Sequence, residues 1–96
     1  MNIIELRNKT AAARASKDAA LDAEFKASLL RKYIDQLIQK AADNGEGKLI
    51  LNFYYAKERV FSERYGGPTM AAAVRHYRSE GFDALSEGTN IIISWM

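Results

Sequence analysis

The chain has 96 residues, of which 48% are hydrophobic and 27% charged, and its formal net charge is +2. This length and composition predict one globular domain, and a single proline with six glycines excludes a long disordered linker. The charge is too small to indicate a dedicated nucleic-acid binder, and the absence of cysteine excludes disulfides, thiolate metal ligands and a cysteine nucleophile.

The N-terminal half of the chain predicts helix. Residues 1–44 contain neither glycine nor proline and are rich in strong helix formers. Within them, residues 1–21 predict an alanine-rich helical arm, whose small side chains bury little area. The apolar residues at its start, Ile3, Ile4 and Leu6, have to pack on the rest of the chain or on a second copy. We expect self-association through this arm, because close alanine contacts suit a homodimer of paired helices.

A second stripe of apolar residues begins at Phe25. Its members recur every four residues and predict one helix with a broad buried face. They are Phe25, Leu29, Tyr33, Leu37 and Ala41, with Leu30, Ile34 and Ile38 beside them. We expect Asp18 or Asp22 to cap the start of this helix by accepting hydrogen bonds from its first-turn amides. A single α+β domain then occupies residues 22–96.

A strand follows the long helix. The segment KLILNFYY, residues 48–55, alternates in polarity and is rich in branched and aromatic residues, which predicts a strand over its whole length. In this interpretation Tyr54 shares an open face with Asn52, whereas Tyr55 points to the other face.

Two helices and a hairpin complete the predicted order. Residues 56–65 predict a short amphipathic helix, and Gly66-Gly67-Pro68 forms a corner that breaks it. The next helix runs to Glu80 with Met70, Val74 and Tyr77 on its buried side. Residues 82–86 and 90–95 then predict two short strands joined by a tight turn at Glu87-Gly88, with Ile91, Ile93 and Trp95 on one face.

Over residues 22–95 this order resembles that of winged helix-turn-helix domains. The resemblance rests on the element order, on the Gly66-Gly67 corner and on Gly81-Phe82, which closes the second of the two helices. It implies a helical N-terminal half followed by strand, helix, helix, strand and strand, with a small antiparallel sheet. It does not select a function, because winged-helix domains bind protein as well as DNA. The strand over residues 48–55 is long for that fold, so a plainer α+β sheet with helices on one face is the alternative.

The end of the chain carries a second resemblance. A helix ending in AADNG, an apolar strand, a helix ending in SEGF and a last strand with the sequence IIISW are together similar to small orphan accessory proteins of tailed bacteriophages. These proteins often end in an Ile-Ser-Trp strand. The resemblance implies a small phage accessory protein, located in the host cytoplasm, with a host or virion protein as its partner. It transfers no activity to individual residues.

The outward face of the helix after the corner gives a DNA-binding hypothesis. A helix-turn-helix over residues 56–80 would place this face, with Ala72 and Arg75, in the major groove, where arginine pairs with guanine edges. A side chain at the helix start would meet a phosphate. The candidate nucleic-acid contacts are Thr69, Arg75, His76 and Arg78. The alternative is an ordinary solvated basic face, or a face whose alanines dock on protein.

No catalytic or metal-binding pattern stands out in the sequence. His76 is the only histidine, and with Glu80 four residues later it indicates a surface pair rather than a metal site. The YGGPT corner lacks the lysine of a phosphate-binding loop, and neither a nucleophile elbow nor paired carboxylates occur. We therefore expect a non-enzymatic protein with no cofactor and no metal.

An exposed aromatic residue indicates a partner-binding surface. Tyr54, with Arg59 and Arg64 nearby, is the kind of group that anchors a protein partner or stacks on a base. No apolar run approaches the ~20 residues that cross a bilayer, and the N-terminal apolar stretch is too short for a signal peptide, so we expect a cytoplasmic protein with no membrane partner. The leading interpretation is a homo-oligomeric protein that acts through protein–protein interaction. The alternative is DNA binding.

Overall fold

The computed structural model describes residues 2–60 and 68–96. The predicted corner at Gly66 and Gly67, and the candidate residue Arg64, lie outside this part of the chain. The described elements are, in order, α1 (Ile3–Lys26), α2 (Leu29–Asp43), β1 (Lys48–Asn52), α3 (Phe53–Arg59), α4 (Met70–Ser79), β2 (Asp83–Glu87) and β3 (Asn90–Ser94). They confirm the predicted α+β class: a helical N-terminal half, then strand, helix, helix and two strands, with a small antiparallel sheet.

The first helix is longer than the sequence pattern predicts. α1 runs without interruption for 24 residues, through both Asp18 and Asp22, so neither residue caps a second helix. The break lies instead at Ser28, whose Oγ accepts from the amide of Arg31 at 3.0 Å and donates to the carbonyl of Phe25 at 2.6 Å. One serine thus closes α1 and caps α2, a role that serine side chains fill well. The two aspartates pair with another helix, as described below.

The first strand is shorter than predicted because Asn52 ends it. The Asn52 side chain accepts from the amide of Tyr55 at 2.9 Å and so caps α3, while its Nδ2 donates to Thr89 Oγ1 at 2.9 Å. The prediction of a strand over residues 48–55 is therefore wrong in its last three residues. Tyr54 and Tyr55 lie on a helix, where consecutive side chains do not alternate between two faces.

The sheet has the strand order β1-β3-β2, and both neighbouring pairs are antiparallel. β2 and β3 are joined by Gly88 and Thr89, one residue later than the predicted turn. Gly88 has φ +61°, as a two-residue hairpin loop with glycine at its first position requires. Ile91 and Ile93, which were predicted to share one face, are both fully buried on the inner face of the sheet, and Trp95 lies just beyond β3.

The core lies between the inner face of the sheet and helices α1, α2, α3 and α4. Its largest fully buried side chains are Tyr77, Phe25, Phe53, Leu30, Ile34, Ile91 and Ile93, together with Pro68. Phe25 connects α1 to this core, with its ring centroid 5.9 Å from that of Tyr77 on α4 in an edge-on arrangement. None of the helices in the described ranges is long and apolar enough to span a membrane.

Candidate functional site

The predicted DNA-reading face of α4 is covered by α1. Arg75 Nε donates to Asp22 Oδ1 at 2.7 Å, and Arg75 Nη2 lies 2.7 Å from the same oxygen and 3.9 Å from Asp18 Oδ1. The hydrogen bond to Asp22 raises the pKa of Arg75 above its usual value, so the guanidinium is charged at every relevant pH. Arg75 therefore joins two helices of its own chain instead of presenting a free fork to a base.

His76 is also turned toward α1. Its side chain is only 11% exposed, and its ring centroid lies 5.2 Å from that of Phe25 and 4.9 Å from that of Tyr77. Nε2 is 3.7 Å from Glu80 Oε1, so the predicted pair exists, although the histidine is more buried than a surface pair requires. The described residues contain no cluster of acidic and histidine side chains that could hold a metal ion.

The other two predicted DNA contacts have structural partners as well. Thr69 caps α4 by accepting from the amide of Ala72 at 3.2 Å. Arg78 Nε donates to the carbonyl of Ala84 at 2.7 Å, which ties α4 to the edge strand β2. Ala72, predicted on the outward face, is fully buried. α4 packs on α1 as well as on the sheet. Of its three alanines, Ala72 and Ala73 are fully buried and Ala71 is exposed.

Two concave regions flank α4. The smaller, of about 180 Å³, lies between α1 and α4, and its lining residues are Asp22, Lys26, Arg75, His76, Ser79 and Glu80. It combines the acidic groups of Asp22 and Glu80 with the basic groups of Lys26 and Arg75, so it offers no excess of one charge to a ligand. The larger, of about 340 Å³, lies between α4 and β2 and brings Arg75 and Arg78 together with Leu85.

The predicted partner surface around Tyr54 has a different composition from that expected. Tyr54 is 55% exposed, as predicted, but the residue that meets Arg59 is Tyr55. Arg59 Nη2 donates to the Tyr55 hydroxyl, and the guanidinium carbon lies 4.8 Å from the centre of the Tyr55 ring. The sequence missed Tyr55 because the strand prediction turned it inward. The spacing of four between Tyr55 and Arg59 becomes informative only on a helix.

Within residues 2–60 and 68–96, the longest exposed stretch is the N-terminal part of α1. Every residue from 2 to 17 is exposed, and no hydrogen bond or ion pair joins this stretch to another described element. We call residues 2–17 the projecting segment. Its apolar tip consists of Ile3, Ile4 and Leu6, which are 61%, 61% and 44% exposed. The segment accounts for the elongated shape of the molecule, which measures 57 × 31 × 23 Å.

The charges of the projecting segment are unbalanced. Its basic residues are Arg7, Lys9, Arg14 and Lys17, and Glu5 is its single carboxylate. Residues 1–17 therefore carry a net charge of +3, and residues 18–96 carry −1. The sequence contained this signal, but the near-neutral total conceals it.

A second exposed apolar surface lies on the outer face of the sheet. Ile50 on β1 and Leu85 on β2 both face Ile92 on the central strand in the antiparallel registers. Ile50 is 53% and Leu85 46% exposed, and Ile92 between them is half-buried. We call these three residues the outer row. Alternation in each strand turns them away from the core that Ile91 and Ile93 fill.

Comparison with known proteins found no matching family model, no matching curated protein and no matching solved structure. The features of this chain that bear on its function are two exposed apolar surfaces, the projecting segment and the outer row, and the contacts between α1 and α4.

Proposed function

We propose that this protein is a non-enzymatic binding module that acts through protein–protein contacts and self-associates through the projecting segment of α1. One observation carries the proposal. Residues 3–17 of α1 are helical and every one of them is exposed, and the first turns of the helix hold Ile3, Ile4 and Leu6 in solvent.

A helical segment whose side chains pack on nothing is only marginally stable in water, which favours a partner for the projecting segment. Isolated helices shorter than about 12–15 residues are marginal in water, and most helical stability in proteins comes from packing an apolar face. The projecting segment extends a packed helix, but its own side chains gain no such packing. Burying the exposed share of each apolar tip residue would contribute roughly 1 kcal/mol or more. A protein surface supplies that burial.

Charge defines the chemistry of the partner surface. The apolar tip includes one carboxylate, Glu5, and the basic residues Arg7 and Lys9 follow directly, so its surroundings are net basic. An apolar centre with a charged rim is the usual anatomy of a protein interface. The complementary surface is therefore apolar with acidic residues around it.

DNA binding through α4 is the less favoured function. Arg75 and His76 contact α1, Arg78 donates to the carbonyl of Ala84, and Thr69 caps its own helix. A major groove would have to displace α1 before it reached Arg75. The DNA hypothesis stays a prediction of the sequence.

The same proposal includes a role as a small phage accessory protein whose partner is a host or virion protein. Its support is the sequence Ile93-Ser94-Trp95 at the end of the sheet, where the amide of Trp95 donates to the carbonyl of Gly47 at 3.0 Å. Self-association and binding of such a partner would use the same projecting segment and would compete.

Light scattering of the full chain over a range of concentrations tests the proposal. We expect the measured mass to rise above the 10.8 kDa of one chain, and the triple variant Ile3→Ser, Ile4→Ser, Leu6→Ser to stay at 10.8 kDa. Met96→Ser is the matched control, because this residue is 96% exposed and lies outside the projecting segment. A wild-type mass of one chain at every concentration, or a triple variant that associates as the wild type does, would contradict the proposal.

A further inference from the structure

The outer row is an apolar strip across all three strands of the sheet. Adjacent strands lie about 4.8 Å apart, so Ile50, Ile92 and Leu85 form a continuous strip roughly 10 Å wide. The strip lies on the face opposite the core, and Ile50 and Leu85 are about half exposed. At its Leu85 end the strip borders the concave region between α4 and β2. A strip of this kind matches the width of one helix, whose diameter with side chains is about 10 Å.

Acidic residues border the outer row on one side. On β2, Asp83 and Glu87 flank Leu85 on the same face and are exposed. On β1, Lys48 and Asn52 flank Ile50. The β2 side of the outer face is thus an apolar surface with two carboxylates at its rim.

The projecting segment has the complementary arrangement. Its apolar tip, Ile3, Ile4 and Leu6, is followed at once by Arg7 and Lys9. When the tip meets the outer row, apolar side chains contact apolar side chains. The basic residues beside the tip then lie next to the acidic residues beside the outer row. Residues 1–17 carry a net charge of +3 and the rest of the chain −1, so the net charges also favour contact between the segment of one copy and the body of another.

The two surfaces cannot meet within one chain. α1 is one uninterrupted helix from Ile3 to Lys26, and it contains no glycine or proline at which it could fold back. From Asp18 to Ile3 the helix extends roughly 22 Å away from its attachment at Arg75. That length is comparable with the 31 × 23 Å cross-section of the molecule, so the tip is long enough to reach across a second copy.

We propose that the apolar tip of α1 docks on the outer row of a second copy of this chain, with Arg7 and Lys9 beside Asp83 and Glu87 of that copy. Two copies related by a twofold axis exchange their projecting segments, so that each dimer holds two identical contacts. The proposal rests on the proposed function, in which the projecting segment is the binding element, and adds the surface that it binds.

A complementation experiment with two variants tests the docking. The tip variant carries Ile3→Ser, Ile4→Ser and Leu6→Ser, and the sheet variant carries Ile50→Thr and Leu85→Thr. The two sheet positions are about half exposed, and threonine suits a strand, so the fold should be retained. Circular dichroism and the thermal midpoint check this for each variant. Association is measured by light scattering, and mixed pairs by energy transfer between one labelled copy of each variant.

We expect each variant alone to dimerise at least tenfold more weakly than the wild type. A mixture of the two should form mixed dimers, because the intact tip of the sheet variant still fits the intact outer row of the tip variant. Retained association of a folded sheet variant would overturn the docking and leave the proposed function standing. The same holds if both variants are monomeric and no mixed dimer forms. If neither variant weakens association, both proposals fail.

A charge exchange provides an independent readout. Arg7→Glu with Lys9→Glu should weaken association about tenfold or more, and Asp83→Lys with Glu87→Lys should do the same, because each change places like charges at the rim. The chain that carries all four substitutions should associate again. Failure of the fourfold variant to recover, with its fold intact, would overturn the assignment of these four residues to one interface.

Discussion

Arg75 on α4 and Asp22 on α1 are joined at 2.7 Å by both a hydrogen bond and an ion pair, although 53 positions separate them in the chain. With Phe25 buried against His76 and Tyr77, this pair fixes the C-terminal third of α1 across the face of α4. The same contact has two effects. It places α1 against the side of α4 that carries Arg75 and His76, and it sets the direction in which the rest of α1 leaves the molecule.

Replacing Asp22 should weaken this attachment measurably. Both partners are about two-fifths exposed, and ion pairs at such positions contribute about 1 kcal/mol or less. We expect Asp22→Asn to lower the free energy of unfolding by about 0.5 to 1 kcal/mol in urea titrations. Asp18→Asn is the matched control, because Asp18 lies 3.9 Å from Arg75 and should have a smaller effect. An equal loss in both variants would show that the close Asp22 contact has no special weight.

The DNA hypothesis and the packing of α4 within the chain predict opposite effects of substituting Arg75 and Arg78. If α4 entered a groove, duplex affinity would fall steeply with salt and would be lost in Arg75→Ala and Arg78→Ala. Because both side chains are engaged within the chain, we expect these substitutions to leave duplex affinity unchanged in fluorescence anisotropy at low salt. Arg7→Ala with Arg14→Ala is the comparison, since these two residues are exposed on the projecting segment. A large, salt-dependent loss confined to the α4 variants would favour the DNA hypothesis.

The hydroxyl of Tyr77 predicts a fall in stability at alkaline pH. It donates to Asp35 Oδ1 at 2.8 Å, and Asp35 also pairs with Arg31 at 2.8 Å. Burial first, and then the hydrogen bond to Asp35, raise the pKa of Tyr77 far above its usual value of about 10. An unfolded tyrosine ionises as the pH passes about 10 while folded Tyr77 keeps its proton, so unfolding becomes easier above that pH.

Tyr77→Phe isolates this effect from the other tyrosines. The variant should lose about 1 to 3 kcal/mol near neutral pH, because the hydrogen bond to a charged partner is gone. Its free energy of unfolding should then decline less between pH 9 and pH 11 than that of the wild type. Urea titrations across this pH range measure both quantities. Parallel declines in the two proteins would contradict the burial of this hydroxyl.

Asn52 should be essential to the junction between β1 and α3. It caps α3 and also donates to Thr89, so Asn52→Ala should cost about 1 kcal/mol or somewhat more. Asn52→Asp keeps the capping oxygen but loses the amide donor, and should recover most of that cost. Thermal unfolding followed by circular dichroism compares the three proteins. An aspartate variant no more stable than the alanine variant would show that the Thr89 contact outweighs the cap.

The element order could be predicted from local signals, and the boundaries failed where two local signals competed. Alternating polarity over residues 48–55 favoured a strand. Asn52 lies within that run and caps a helix, so the strand ends there and α3 begins at Phe53. The absence of glycine and proline before residue 44 concealed the break at Ser28. In each case a capping side chain decided the boundary, and hydrophobic periodicity did not contain that information.

The contacts of the candidate site could be predicted from the sequence less well than the fold. The outward face of α4 was predicted from helical spacing alone, which shows the two sides of a helix but not how many neighbours it has. The contact from Arg75 to Asp22 joins residues far apart in the chain, and no local pattern reports it. The sequence predicted that Ile3, Ile4 and Leu6 pack on the rest of the chain or on a second copy. All three side chains are exposed on this chain, and packing on a second copy stays a prediction.

Hydrogen exchange of the amides in residues 3–17, measured at increasing concentrations of the full chain, tests whether the projecting segment binds a second copy. We expect these amides to exchange rapidly in dilute protein and to become protected as the concentration rises. In the variant Ile3→Ser, Ile4→Ser, Leu6→Ser they should exchange rapidly throughout, while the amides around Phe25 stay protected in both proteins. Rapid exchange of the amides of residues 3–17 in the wild type at every concentration would contradict self-association through the projecting segment.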